Sequence, residues 1–323
     1  MTRLDNKKRR DFLADSVKIA GAVAVASAIP LMARDSRQDS HKDLRNPKNT
    51  NKANMHFITL NNGVKMPILG FGTSRLSGKS GGKAIADAIS VGYRLIDTAQ
   101  MYGNESEVGI AVENAIKSGI KRDEFFITTK LSSNMSYDEV MKQFDESMKK
   151  LRLNYVDLLL IHNTYSNAKQ MYKAMEKLYK DGKIRTLGIS NFKQKDFADF
   201  IKDCEIIPAV NQCQTHIFQQ QKALRKAMKD AGTILESWSP FVAGKDDFFN
   251  NPTLLNIAKK YNKSVAQVAL RFLVQQDIVV IPKTSKVQRM RENLNIFDFT
   301  LDDADMKTLI AMDTGKSSFS WDS

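Results

Sequence analysis

Asp97-Thr98-Ala99-Gln100-Met101-Tyr102-Gly103-Asn104-Glu105 is the stretch on which the reading of the fold turns. A short apolar run, Tyr93 to Asp97, ends in a carboxylate and passes into a polar loop that carries a phenol. The same arrangement recurs downstream. Lys130 closes the run from Phe125, His162 closes the run from Val156, and Ser190 and Asn191 follow Ile184–Ile189. Polar residues at the exit ends of successive apolar strands are how an α/β barrel assembles one site from separate parts of its chain.

Outward from these residues, strand-length apolar runs alternate with helix-periodic segments. Strands are predicted near Leu69–Gly72, Tyr93–Asp97, Phe125–Lys130, Val156–Ile161, Ile184–Ile189, Pro208–Asn211, Thr233–Ser237 and Ile278–Ile281. Helices are predicted near Gly82–Val91, Glu105–Ser118, Tyr137–Lys150, Ala168–Asp181, Lys193–Lys202, Gln219–Ala231, Ser264–Gln275 and Val287–Asn293. Eight such units in alternation point to a closed parallel (β/α)8 TIM barrel. The runs are apolar throughout, as strands covered on both faces should be. Ahead of them, Ile58–Leu60 and Val64–Met66 flank Asn61-Asn62-Gly63, a hairpin expected to close the bottom of the barrel. Two extra helices are expected at Pro252–Tyr261 and Asp302–Asp313. The barrel is thus placed at residues 57–316, with a short C-terminal tail at 317–323.

The 323 residues are 42% hydrophobic and 26% charged, enough for a full globular core. Of the formal net charge of +13, residues 1–52 contribute +6, from twelve Lys/Arg against six Asp/Glu, which leaves +7 for the rest. The rest has no basic run and no stacking-aromatic motif, which argues against nucleic-acid binding. An anionic cofactor would account for part of that surplus. Cys204 and Cys213 have no CxxC and no His at metal spacing, so no metal site is expected. Two buried free thiols are the expectation, and the spacing leaves a disulfide open.

Residues 1–33 read as an export signal. Lys7-Lys8-Arg9-Arg10-Asp11-Phe12-Leu13 is a basic start, and Ile19–Ala33 is small and apolar, interrupted by Gly21, Ser27 and Pro30. That stretch falls short of the ~20 residues that span a bilayer, so no stable membrane span is expected. Arg9-Arg10 before Asp11, Phe12 and Leu13 resembles a twin-arginine signal, with cleavage placed after Ala33. It implies the twin-arginine export machinery as a partner and a periplasmic or otherwise exported location. An amphipathic or buried N-terminal helix is the alternative. Residues 34–56, rich in Asp, Lys, Arg and Asn, read as a solvated linker.

Asp97, Tyr102, Lys130 and His162, in this order at strand ends, resemble the catalytic tetrad of the aldo-keto reductase family. The likeness covers roughly residues 57–316. It implies NADPH-dependent reduction of an aldehyde or ketone by a monomer, with a small carbonyl compound as substrate. The residue chemistry agrees. A carbonyl becomes an alcohol by gaining hydride at carbon and a proton at oxygen. Tyr102 can give the proton, and Lys130 is expected to lower the phenol from its ordinary pKa of ~10. Asp97 can hold Lys130, and His162 can hydrogen-bond and orient the carbonyl oxygen.

The resemblance also implies a cofactor site. Gly188-Ile189-Ser190-Asn191-Phe192 looks like the segment whose Ser and Asn bind the nicotinamide carboxamide, with Gln212 on the same amide. Trp238-Ser239-Pro240-Phe241 is similar to the segment whose aromatic residue stacks on the nicotinamide ring. Lys283, Thr284 and Ser285, followed by Arg289, Glu292 and Asn293, match the phosphate and adenosine site. Lys283 and Arg289 suit the extra 2′-phosphate of NADP, and a helix N-terminus near Ser285 and Lys286 would add N–H groups.

Three segments depart from the family pattern. Leu131-Ser132-Ser133 follows Lys130 where many relatives carry a Trp, Asn163-Thr164 stands in place of Trp-Pro, and Cys213-Gln214-Thr215-His216 replaces Val-Glu-X-His-Pro. A more open or more polar substrate site is expected. Barrels of this family also serve as redox-reading subunits of membrane channels, so a sensing module is the rival from another class. Dehydrogenase operation on the same residues is a third.

Overall fold

The computed structural model describes residues 55–319. The expected export signal and the linker up to residue 54 lie outside the described residues. The barrel belongs to a unit running from Thr50 to Lys316.

The chain opens with a two-stranded antiparallel hairpin, β1 (Phe57–Thr59) and β2 (Lys65–Pro67). Its turn closes through Leu60 N–H to Val64 O and Gly63 N–H to Leu60 O, both 2.9 Å, with Gly63 at φ 82°, where a side chain would be strained. The hairpin lies at the barrel's bottom, as expected. Asn61 Nδ2 reaches Ile207 O and Asn62 Nδ2 reaches Arg185 O, and both carbonyls precede the strands that follow them. His56 already belongs to this packing: its ring stacks on Phe297 at 4.0 Å, and its carbonyl accepts from Ile68 N–H.

Eight parallel strands follow: β3 (Phe71–Gly72), β4 (Leu95–Asp97), β5 (Phe126–Leu131), β6 (Leu158–Ile161), β7 (Leu187–Ser190), β8 (Val210–Gln214), β9 (Ile234–Trp238) and β10 (Val279–Val280). Each pairs with the next in sequence. A parallel bridge between Leu69 and Val280 closes the ring. Gly70 N–H donates to Val280 O at 2.8 Å, and Val280 N–H donates to Ile68 O at 3.0 Å. Leu158, Leu159, Leu160 and Ile161 are all buried, as strands between a filled interior and a helical jacket must be.

The helices form where local signals agree with the apolar period. Ser136 and Glu139 make a reciprocal capping box ahead of Tyr137–Leu151, and Ser264 and Gln267 make another ahead of Val265–Val274. Asn251 caps Pro252–Lys260, with Pro252 in the first turn where its missing N–H costs nothing. This helix and Asp303–Ala311 are the two expected extras. One helix starts later than predicted. Gln219 and His216 exchange backbone hydrogen bonds of 3.0 Å in a reverse turn, so the helix expected from Gln219 runs over Lys222–Ala231. Cys204 and Cys213 are both free thiols. Among the described residues no helix is long and apolar enough to cross a membrane.

Candidate active site

β4 ends at Asp97, and the chain turns through Thr98 and Ala99 into a 3₁₀ turn, Gln100–Tyr102. Lys130 is the penultimate residue of β5, and His162 is the first residue beyond β6. Parallel strands in register bring these ends to one rim. Lys130 is 0% exposed, so its ammonium depends wholly on protein acceptors. It has three: Asp97 Oδ1 at 2.6 Å, Thr98 O at 3.0 Å and Tyr102 Oη at 3.4 Å. The Tyr102 and His162 rings meet edge to face, centroids 5.7 Å apart. All four strand-end residues therefore converge.

Electrostatics at Tyr102 differ from the expectation. Burial raises the phenol above its ordinary pKa, Lys130 opposes that, and Asp97 adds to it. The cation acts in the expected direction but loses to desolvation and the neighbouring carboxylate. Lys130 is itself shifted upward: burial disfavours its charge, but Asp97 and then Tyr102 outweigh the penalty. The site thus holds a protonated phenol beside a secured ammonium.

Several expected cofactor residues also meet here. Gln212 Nε2 donates to Asp97 Oδ2 and to Glu236 Oε2, each at 2.9 Å. Both amide hydrogens are used, which leaves Oε1 as an acceptor toward a ligand. Ser190 Oγ donates to Gln212 O at 2.8 Å. Asn191, at φ 63°, ties three strand ends together: its N–H donates to Gln212 O, its Nδ2 to His162 O at 3.0 Å, and its Oδ1 accepts from Trp238 Nε1 at 2.8 Å. The Trp238 ring is pinned by its own N–H, and Ser239 follows at φ 55°.

The residues after β10 divide. Thr284 is buried, and its hydroxyl accepts from Lys286 N–H at the start of helix Val287–Leu294. Lys283, Ser285 and Arg289 reach the surface. Glu292 turns away to hydrogen-bond Ser264 Oγ, and Asn293 is buried beside the Tyr93 hydroxyl.

Two residues of the site, Glu236 and Arg75, escaped the sequence reading, and a third, Ser132, gains a partner there. Glu236, in β9, is wholly buried and shares Gln212 with Asp97. A charged residue inside Ile234–Trp238 was the available signal. Ser132 stands where many relatives carry an aromatic, and its Oγ lies 3.0 Å from His162 Nδ1 while accepting from Met101 N–H. Arg75, following β3 at φ 64°, interacts electrostatically with Tyr102 and with Lys283. Burial and Arg75's like charge push Lys283 below its usual value.

The chain is similar over most of its length to known proteins of one family. The model of the Aldo/keto reductase family matches residues 68–313. Glyoxal reductase of Bacillus subtilis is 43% identical over 258 residues, covering 79% of this chain and 92% of that protein. Morphine 6-dehydrogenase of Pseudomonas putida is 40% identical over 274 residues, covering 80% and 92%. A crystal structure of a Bombyx mori aldo-keto reductase in complex with NADP superposes with a TM-score of 0.76 at 32% identity, covering 81% of this chain and 94% of that one.

Proposed function

Since the chain belongs to the aldo/keto reductase family, we propose that its NADPH-dependent reduction of an aldehyde or ketone runs with Tyr102 as general acid. The observation that carries this is the contact of Tyr102 Oη with a buried ammonium whose other partners are Asp97 and a backbone carbonyl. A protonated phenol is the form needed before reduction. As the carbonyl oxygen gains negative charge, it becomes basic enough to take the Tyr102 proton. Lys130, 3.4 Å away, stabilises the phenolate left behind. Asp97 keeps Lys130 in place and charged. His162, its Nδ1 side held by Ser132, directs its remaining nitrogen to the carbonyl oxygen.

The residues present fit NADPH. Arg75 and Lys283 interact as like charges, and neither has an ion-pair partner among the described residues, which suits an anion beside them. With Arg289 and the amide groups at the start of Val287–Leu294, they would hold the phosphates, Lys283 and Arg289 favouring the 2′-phosphate. Trp238, Ser190, Asn191 and the Oε1 of Gln212 would receive the nicotinamide end. Bound there, the cofactor supplies hydride to the carbonyl carbon.

The substrate mouth reads as polar. Ser132 lies beside His162, and on the loops that follow β5 and β6 Asn134 links to Ser166 Oγ at 3.0 Å and to Asn167 N–H at 2.9 Å. A carbonyl compound with hydroxyl or further carbonyl groups suits such walls better than an aromatic one. We also read Arg9-Arg10 and the apolar stretch to Ala33 as a twin-arginine signal that exports a folded, nucleotide-loaded monomer. Cell fractionation of the full chain with Arg9 and Arg10 both changed to Lys tests it. Unaltered distribution would refute export by this route.

Tyr102→Phe tests the central assignment. Removing a general acid should lower kcat about 100-fold or more while NADPH binding, followed by fluorescence, persists. Turnover above about a tenth of wild type, ~1.4 kcal/mol of barrier, would refute the role.

A further inference from the structure

Glu236 is a buried titratable group to which the chemistry above gives no task. It sits in β9 with Gln212 of β8 opposite it on one side and Val279 of β10 on the other. It is 0% exposed. Oε2 accepts from Gln212 Nε2 at 2.9 Å, and Oε1 has no hydrogen-bond partner. An ionised carboxylate with one bare oxygen, sealed from water, is far costlier than a neutral acid in the same place.

The groups facing it decide what its charge would do. From β4 comes Asp97, which shares the Gln212 amide with it; from β5 comes Lys130; from the 3₁₀ turn comes Tyr102. β8 contributes the neutral Gln212 and β10 the apolar Val279. Asp97 and Lys130 cancel. With Glu236 protonated, the buried set is neutral, and loss of the Tyr102 proton leaves it at −1. With Glu236 ionised, the set is already at −1, and the same proton loss takes it to −2.

We propose that Glu236 is a positioning residue for charge: uncharged while carbonyl reduction runs, and, once ionised in alkaline solution, a brake on proton donation by Tyr102. It touches neither substrate nor phenol and acts through Gln212, Asp97 and the field at Tyr102. Its proton exchanges with solvent between turnovers. In each turnover the only proton moved is from Tyr102 Oη to the oxygen of the new alcohol. Burial, reinforced by Asp97, pushes the Glu236 carboxyl up to about 8, against the weaker pull of the Gln212 hydrogen bond and Lys130. Tyr102 and Lys130 both lie above their ordinary values of 10.0 and 10.5, so neither titrates between pH 7 and 9. The inference rests on Tyr102 being the general acid.

Two measurements on the full barrel test it. In protein labelled with 13C at the glutamate side-chain carboxyl, one resonance should titrate with a midpoint near 8 and be missing from Glu236→Gln. With 4-nitrobenzaldehyde as probe and saturating NADPH, wild-type kcat should fall about threefold or more from pH 7 to pH 9. The Glu236→Gln ratio across that range should stay near one. A wild type with no glutamate titrating above pH 7, or a variant with the wild-type alkaline limb, overturns the proposal. If Glu236→Gln does not fold, the wild-type carboxyl titration decides alone. Tyr102→Phe separates the two readings: turnover retained there removes the general acid, whereas an inactive Tyr102→Phe with an unchanged Glu236→Gln profile removes only the brake.

Discussion

Asp97→Asn leaves the Lys130 ammonium, 0% exposed, without the carboxylate 2.6 Å from it. Breaking a buried ion pair from one side ordinarily costs ~3–5 kcal/mol, because the remaining charge is stranded. Here a reserve carboxyl lies on the other side of Gln212. Glu236 is held protonated by burial and by repulsion from Asp97. The substitution removes the repulsion and keeps the attraction of Lys130. Ionising a carboxyl that burial pushes up to about 8 costs only on the order of 1 kcal/mol at pH 7, even before that repulsion is lifted. The reserve is therefore cheaper to recruit than the stranded charge is to tolerate. At pH 7 the single variant should lose about 1–2 kcal/mol, Glu236→Gln alone under about 1, and the double variant ~3–5. Urea unfolding of the four proteins gives the coupling, expected near 2 kcal/mol. Additivity within ~0.5 kcal/mol would show that Glu236 does not answer to Lys130, and the reasoning would fail.

Gly188→Ala should destabilise the barrel by about 1–3 kcal/mol in the same assay, since its Cβ would lie 2.5 Å from Leu160 Cδ2 and 2.8 Å from Val210 O; a loss under ~0.5 would mean that the strands yield. Arg289→Ala should raise the Kd for NADPH about tenfold or more and change that for NADH much less, because a 2′-phosphate contact is charge-assisted; equal weakening of both would refute the 2′-phosphate role. His216 is wholly buried, and burial lowers its imidazole to about 4. The unfolded chain takes up that proton near 6.5 and the folded chain cannot, so this contribution is complete above 6.5 and is lost as pH falls toward 4. At ~1.4 kcal/mol per pH unit the loss approaches about 3 kcal/mol. His216→Gln should flatten the acid limb of stability over that range, and an unchanged limb would refute the assignment.

What the sequence disclosed and what it hid follow from the same physics. The eight strands were legible because both faces of a barrel strand are covered, so each reads as a dense apolar run. The boundaries failed where the interior is polar. β8 was expected to stop at Asn211, yet it continues through Gln212, Cys213 and Gln214, all buried. That stretch looks like a loop in sequence, but alternate strand residues share a face, and Gln212 points into the barrel to meet Asp97 while Cys213 faces outward beside Asn211. Glu236 was passed over for the same reason. The four site residues could be read because they lie at the exits of three successive strands, Asp97 and Tyr102 after β4, Lys130 in β5 and His162 after β6. The partnership of Glu236 with Asp97 could not, because it depends on a contact across the barrel between residues 139 positions apart, 97 and 236, joined only through Gln212.

That partnership alters the account of how the phenol is made to work. A lysine beside a tyrosine suggests a lowered phenol pKa, and Lys130 does pull that way. In this barrel the pull is spent against burial, and Asp97, which secures the lysine, also repels the phenolate. An acid kept above its ordinary pKa still serves reduction, because the oxygen it protonates becomes a stronger base than phenolate as hydride arrives. What such a site cannot tolerate is a second unbalanced carboxylate, which would oppose the phenolate at the moment it forms. The sequence places a glutamate there, opposite Gln212 in strand register. On the proposed reading, proton donation by Tyr102 depends on that glutamate staying neutral, which its burial favours.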